Sequence, residues 1–378
     1  RSTQAKTLFP YTTLFRSASS YLGGADYPDD LGLTPEELQL DAESLHDYYT
    51  ERALRSVSDP RDPDWPTAAT REALRGQSLY HYLDKLGAST AAKEIYRACS
   101  GAVIEIYDAM VWLAAQRIEG TAPNAYGIAG GNDRLTACFA DSLGGLIVRN
   151  AQVRAVRSES GGVRVDYLHN GRPESMQGDY VVCAVPHQIL LETSFDPPLS
   201  AAKLTAAMAV PMGRVTRLNF QFSRRFWNLD DGTRGLSVAC TTSPIGRLWD
   251  LTAVQTGASG ILTAYVQHEH AEALDRLPSD DERIQRGLDV IYSLFPSARG
   301  TFMKGSSFSW QQPWTKGAWP LFLADQSRHI ADFQRAEGRV YFAGEHTSLH
   351  TAWVQGALES AHFAVAEVIA ASQKARGL

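Results

Sequence analysis

The run Arg339-Val340-Tyr341-Phe342-Ala343-Gly344-Glu345-His346 ends a short apolar strand in a glycine and a carboxylate, and Trp353-Val354-Gln355-Gly356-Ala357 opens a helical run shortly after. Glycine admits close approach to the backbone, and a carboxylate accepts hydrogen bonds from hydroxyls. The first amides of a helix attract the electron-rich edge of a bound cofactor. Trp319 and Trp353 are two of eight tryptophans, residues whose π-faces attract a cation by dispersion and quadrupole. Arg217 adds a permanently charged planar fork, able to hold a water or grip a carboxylate. Each feature also has an ordinary reading: a solvent-facing Glu345, two core tryptophans and a strand arginine.

The elements that must position these residues can be read from pattern. Thr34-Pro35-Glu36-Glu37 has the form of a helix start, and Ser78-Leu79-Tyr80-His81 begins a short helix ending near Gly87. The texture changes at Gly130-Gly131. From Leu146 to Pro186 the pattern predicts a meander with strands at Leu146–Arg149, Val153–Val156, Val163–Tyr167 and Tyr180–Val185, and Asn170-Gly171 as a hairpin turn. Alternating strands and helices follow from Arg214 to Phe295, as in a mixed sheet with covering helices. The last helix carries Ala357, Leu358, Ala361, Ala364, Val365, Val368 and Ile369 on one stripe, which predicts its buried face.

Bulk properties exclude several classes. At 378 residues the chain has room for two or three domains, and a net charge of −6 without a basic stripe argues against nucleic-acid binding. No apolar run is long enough to span a membrane; Gly101 to Ala115 is interrupted by Glu105 and Asp108. Cys99, Cys138, Cys183 and Cys240 are widely separated with no CxxC pair, so the expectation is reduced, buried thiols in a cytoplasmic protein. His268-Glu269-His270, His346 and His350 complete no metal-ligand pattern and read as surface or helix-start histidines; the expectation is no metal.

Four blocks in order carry a resemblance. They are Gly130-Gly131-Asn132-Asp133-Arg134-Leu135; Tyr180-Val181-Val182-Cys183-Ala184-Val185-Pro186 with Phe195-Asp196-Pro197-Pro198-Leu199; Pro211-Met212-Gly213-Arg214-Val215-Thr216-Arg217 leading to Arg225-Phe226-Trp227; and the Gly344-Glu345 tail. Together they resemble the flavin-containing amine oxidases, which include monoamine, polyamine and L-amino-acid oxidases. The resemblance implies an α/β plus α+β architecture: a Rossmann-like FAD-binding domain, here incomplete, and a mixed-sheet and helical substrate domain. It also implies non-covalent FAD, because Ala318 stands where monoamine oxidases carry the cysteine bonded to flavin.

By the same resemblance, Gly130, Gly131, Arg134, Val153, Gly344, Glu345, Trp353, Val354, Gly356 and Ala357 would face the cofactor. Trp319, Trp353, Ala352 and Trp249 would face the substrate. Arg217 replaces a lysine that holds a water near the flavin; it would hold that water, bind a substrate carboxylate, mark a poor user of oxygen, or be a plain strand charge. The implied reaction is FAD-dependent oxidation of a primary or secondary amine or an L-amino acid to an imine, with oxygen as acceptor. The alternatives are a flavin desaturase or isomerase of an apolar substrate, and a truncated, non-catalytic fragment.

The family's amino-terminal βαβ unit, with its glycine-rich turn for pyrophosphate, has no match here; Gly23-Gly24 follows no strand. The expectation is therefore a chain truncated at its amino end, with weak or no FAD binding by itself and an unpaired edge on the strand at Val340 to Ala343. The expected organisation is a non-native leader over 1–17, a helical part of the substrate domain over 18–128 and an FAD-domain segment with its meander over 129–186. A mixed-sheet substrate domain over 187–330 and the FAD-binding strand and helix over 331–378 complete it.

Overall fold

The computed structural model describes residues 32–40, 42–62, 64–100, 103–119, 128–228, 238–239, 243–252 and 255–377. The expected leader, Gly23-Gly24 and Cys240 lie outside them. The strands in chain order are β1 (Ala151–Glu159), β2 (Gly162–His169), β3 (Arg172–Gly178), β4 (Val181–Cys183), β5 (Ser194–Asp196), β6 (Val215–Phe222), β7 (Val238–Ala239), β8 (Arg247–Asp250), β9 (Gly260–Gln267), β10 (Phe302–Ser309) and β11 (Val340–Phe342). The chain divides into two units, 1–57 with 68–110 and 212–325, and 58–67 with 111–211 and 326–378.

The first unit is built on a five-stranded sheet in the order β10-β6-β9-β8-β7, every pairing antiparallel. Helix Asp280–Leu294 covers it so closely that a Cβ on Gly287 would come within 2.4 Å of the Phe220 ring. From Thr216 onward strand β6 alternates, burying Thr216, Leu218, Phe220 and Phe222 while Arg217 faces out, and Val215 at its start is buried as well. In the helical part, Thr34 and Glu37 cap each other reciprocally, but the element they open is a short 3-10 turn, Glu37–Gln39. Ser78 caps helix Leu79–Lys85 as expected, and Gly87 ends it in the left-handed region.

The second unit holds a four-stranded sheet, β3-β2-β1-β5, and a two-stranded parallel pair, β11-β4. The hairpin between β2 and β3 turns at Asn170 (φ 50°) and Gly171 (φ 81°), as the dipeptide predicts. The predicted strand at Leu146–Arg149 is corrected: Gly144–Leu146 is a 3-10 turn and the following residues are irregular, with Leu146 82% exposed. Strand-forming residues need a neighbour to bond, and these find none among the described residues.

The last helix, Val354–Ala375, also departs from its predicted face. It buries Gly356, Ser360 and Ala364, the last packed with Tyr341 and Ala343 and with Val368 and Ala371 beside it, whereas Ala361, Val365 and Ile369 are exposed. Small residues let the helix lie close on β11, and Ser360 accepts the Gly344 amide at 2.9 Å, so close approach outweighed bulk.

Two further corrections concern reactive side chains. Cys99 is disulfide-bonded, while Cys138 and Cys183 are free thiols. Spacing along the chain does not decide pairing in space, and a disulfide removes the cysteine argument for a cytoplasmic setting. His346 and His350 are buried rather than at the surface. No helix is long and apolar enough to cross a membrane among the described residues.

Lys203 is buried and donates to the carbonyls of Asp332 and Phe333, both at 2.7 Å, at the end of helix His329–Gln334. Its ammonium lies 3.7 Å over the Phe342 ring, and burial draws its pKa down to about 8 against the pull of Glu337. Lys203→Met is expected to strand both carbonyls and lower unfolding free energy by about 2 kcal/mol, read from urea denaturation. An unchanged midpoint would mean the two bonds contribute nothing net.

Candidate active site

In the second unit, β11 ends at Phe342, the next amide, Ala343, donates to the Cys183 carbonyl at 3.0 Å, and the chain turns at Gly344 with φ 132°. A side chain there is excluded twice, by that backbone angle and by the His346 ring 2.5 Å from where a Cβ would lie. Glu345 then turns its carboxylate inward. Its Oε2 accepts the Ala352 amide at 2.8 Å and the Thr351 hydroxyl at 2.9 Å. Burial pushes its pKa up to about 7, although both donors oppose the rise.

Glu345 thus tethers the loop that precedes the last helix. In that loop Ala352 sits in the left-handed region at φ 68°, a sparsely used conformation held by the bond to Glu345. Trp353 is the N-cap of the helix, in extended conformation and without a side-chain cap, so the first-turn amides keep their capacity to bond a ligand. Gly356 packs against the loop so tightly that a Cβ would lie 2.0 Å from the His350 carbonyl oxygen. Trp353 is half-exposed and stands 6.2 Å from the His350 ring.

The other expected cofactor contacts lie elsewhere in this unit. Gly130 and Gly131 are both left-handed (φ 90° and 103°), and the turn folds onto Arg134, whose Cγ is 3.4 Å from where a Gly130 Cβ would sit. Val153 is exposed at a register shift in β1, between Val153 and Ala155, where one residue escapes the ladder with β2.

The first unit gathers a separate group. The pairing of β6, β9 and β8 sets Arg217 and Arg247 on either side of Tyr265. The Arg217 guanidinium lies 5.6 Å from the Tyr265 ring centre and the Arg247 guanidinium 5.1 Å from that of Trp249. Tyr265 stands 5.3 Å from Trp249 and is stacked on Trp319 at 6.2 Å and 9°. Burial raises the Tyr265 phenol to about 12, with Arg217 opposing. Three expected site residues, Arg217, Trp249 and Trp319, therefore meet around a tyrosine that the sequence did not single out.

Trp319 owes its seat to the Pro211-Met212-Gly213 block. The Gly213 amide donates to the Trp319 carbonyl at 2.8 Å and the Ala318 amide to the Gly213 carbonyl at 2.9 Å. The indole lies flat on Gly213, 3.0 Å from where a Cβ would be.

A profile of the flavin containing amine oxidoreductases matches residues 14–369. The chain belongs to that family. It is 29% identical over 244 residues to an L-amino-acid oxidase of Siganus canaliculatus, covering 62% of this chain and 45% of that one. It is 27% identical over 283 residues to the flavin-dependent L-tryptophan oxidase RebO of Lentzea aerocolonigenes, covering 73% and 58%. The chain spans about half the length of the curated relatives it matches.

Among solved structures, a putrescine oxidase variant superposes with a TM-score of 0.73 at 21% identity, over 93% of this chain and 80% of that one. Cyclohexylamine oxidase from Brevibacterium oxydans IH-35A gives 0.70 at 18%, over 92% and 79%. These likenesses show a shared fold of the mixed α/β and α+β kind.

The residues present fit a flavin at one end. The uncapped helix start at Trp353 and the Gly344 turn, where a Cβ has no room, offer backbone donors of the kind its rings and hydroxyls take. A glycine-rich pyrophosphate turn is not found among the described residues.

Proposed function

We propose that this chain supplies the substrate pocket and the flavin-facing tail of an FAD-dependent oxidase of L-amino acids or amines, with amino acids as the preferred class. The observation that carries the preference is the grouping of Arg217 with Tyr265, Trp249 and Trp319 in the first unit. A guanidinium beside stacked aromatic faces suits a substrate bearing both a carboxylate and an apolar side chain. The relatives named for L-amino acids support the same class.

In this reading Glu345, the amides of Trp353 to Ala357, Gly130, Gly131, Arg134 and Val153 hold FAD without a covalent bond. The chemistry FAD supplies when bound is acceptance of a hydride equivalent from the carbon bearing the amine. Within the first unit Trp319 and Trp249 border the substrate and exclude water, and Arg217 orients it through its carboxylate. With oxygen as acceptor, amine, oxygen and water give carbonyl compound, ammonia and hydrogen peroxide.

The first test is to purify the chain with FAD supplied, desalt it, record its visible spectrum and add amino acids anaerobically. A retained flavin spectrum that bleaches supports the reading, and a colourless protein rejects it for this chain alone. Arg217→Met is expected to raise KM for an amino acid about 10- to 100-fold while leaving an uncharged-tail amine little affected. Equal effects on both substrates would remove Arg217 from carboxylate binding.

A further inference from the structure

Nothing in its backbone requires residue 213 to be a glycine. Its φ lies outside the left-handed region in which other residues are strained. Gly317, close by, is the contrast: its φ is 156°, and a Cβ there would meet the Met212 Cβ at 2.5 Å and the Gly213 carbonyl oxygen at 2.8 Å. At Gly213 the three atoms nearest to an added Cβ all belong to the Trp319 ring, Cε2 at 3.0 Å, Nε1 at 3.2 Å and Cδ2 at 3.3 Å. The glycine makes room for an indole plane.

That plane has little else to hold it. The backbone on either side is fixed, because Met212 and Pro320 form an antiparallel bridge and Gly213 exchanges two hydrogen bonds with residues 318 and 319. The ring itself has no polar anchor. A buried indole N–H usually finds an acceptor. In Trp319, which is only 9% exposed, it is shut off from solvent and has no hydrogen-bond partner among the described residues. Packing therefore sets the orientation, through Gly213 and through the Tyr265 ring stacked at 6.2 Å and 9°. Tyr265 is in register with Arg217 on β6, and its ring centre lies 5.6 Å from that guanidinium and 5.3 Å from Trp249. A close-packed interior transmits a displacement rather than absorbing it. A methyl group on residue 213 would force the indole to give by a few tenths of an ångström.

We propose that Gly213 is a positioning residue: by carrying no side chain it fixes the plane of the Trp319 indole against Tyr265, and so sets the width of the site beside Arg217. The orienting part stands on the geometry above. The part concerning the site rests on the function proposed for Arg217 and Trp319.

The test separates the two. The chain is labelled with 5-fluorotryptophan, and the fluorine resonance lost in Trp319→Phe is assigned to Trp319. Gly213→Ala is expected to shift or broaden that resonance, while the resonance of Trp227, a buried ring packed with Phe222 and Phe226, stays in place. A Trp319 resonance unmoved in Gly213→Ala overturns the proposal. If the added methyl group unfolds the chain, Gly213→Ala combined with Trp319→Phe is expected to fold, because the smaller ring can withdraw from residue 213. A combined variant that stays unfolded also overturns it.

On FAD-loaded protein, Gly213→Ala is expected to raise KM about 5- to 10-fold for an amino acid with a bulky apolar side chain, and less than about 2-fold for L-alanine, with little change in kcat. In a Trp319→Phe background the same substitution is expected to have no further effect. A shifted resonance with unchanged KM keeps Gly213 as the residue that sets the ring and rejects Trp319 as a wall of the substrate site.

Discussion

Gly356→Ala is expected to be among the most damaging single-atom additions available to this chain. The new Cβ would meet the His350 carbonyl oxygen at 2.0 Å and its carbon at 2.9 Å, and both are backbone, so no rotamer change relieves the clash. Either the helix start or the Ser348–Trp353 loop must move. Moving the loop breaks the two bonds that Ala352 and Thr351 make to Glu345. Overpacking of a rigid site costs about 3 kcal/mol or more. Thermal and urea unfolding should show a large loss for Gly356→Ala. Ala361→Gly, at an exposed position of the same helix, should lose only about 1 kcal/mol through backbone entropy. Equal losses would mean that the loop yields easily and does not hold the tail in place.

The second large effect is one of pH. Glu345 keeps its proton in the folded chain up to about pH 7, whereas the unfolded chain releases it near the model-compound value of 4.5. Between those values the folded state binds more protons, so unfolding free energy falls as pH rises. Below 4.5 the contribution is complete, and above 7 it is lost. The shift corresponds to about 3 kcal/mol.

Other groups titrate in the same window. Glu119 acts in the same direction, because burial raises it too. His187 and His346 act oppositely, since burial holds them down to about 4 and about 3 and their stabilising neutrality grows as pH climbs towards 6.5. The diagnostic quantity is therefore the difference between wild type and Glu345→Gln. That difference should decline by about 3 kcal/mol from pH 4.5 to 7 and be flat on either side. A difference independent of pH would show that the Glu345 carboxylate is ionised, and so better solvated than its surroundings indicate.

What was legible in the sequence was mostly local. The Asn170-Gly171 turn, the Ser78 cap and the strand-glycine-acid tail each declare themselves through residues a few positions apart. Family membership was legible because four such local blocks recur in a fixed order. What stayed hidden depends on who lies opposite whom. Tyr265 becomes central only through the register of β6, β9 and β8, which sets Arg217 and Arg247 on either side of it. The buried face of the last helix turned on whether β11 would favour small or bulky residues, which periodicity does not say. Leu146–Arg149 has the composition of a strand but, among the described residues, lacks the partner that would make it one.

The outward stripe of the last helix has a practical consequence at the bench. Val354, Leu358, Ala361, Val365 and Ile369 follow one another at helical spacing, and all but the partly buried Leu358 are exposed. Helix Asp133–Leu143 buries none of its residues and turns Phe139 and Leu143 to solvent one turn apart. A preparation carrying this much greasy surface should bind a dye such as ANS while fully folded. Its retention on a phenyl column should strengthen as ammonium sulfate is added, the reverse of what charge-driven sticking would do.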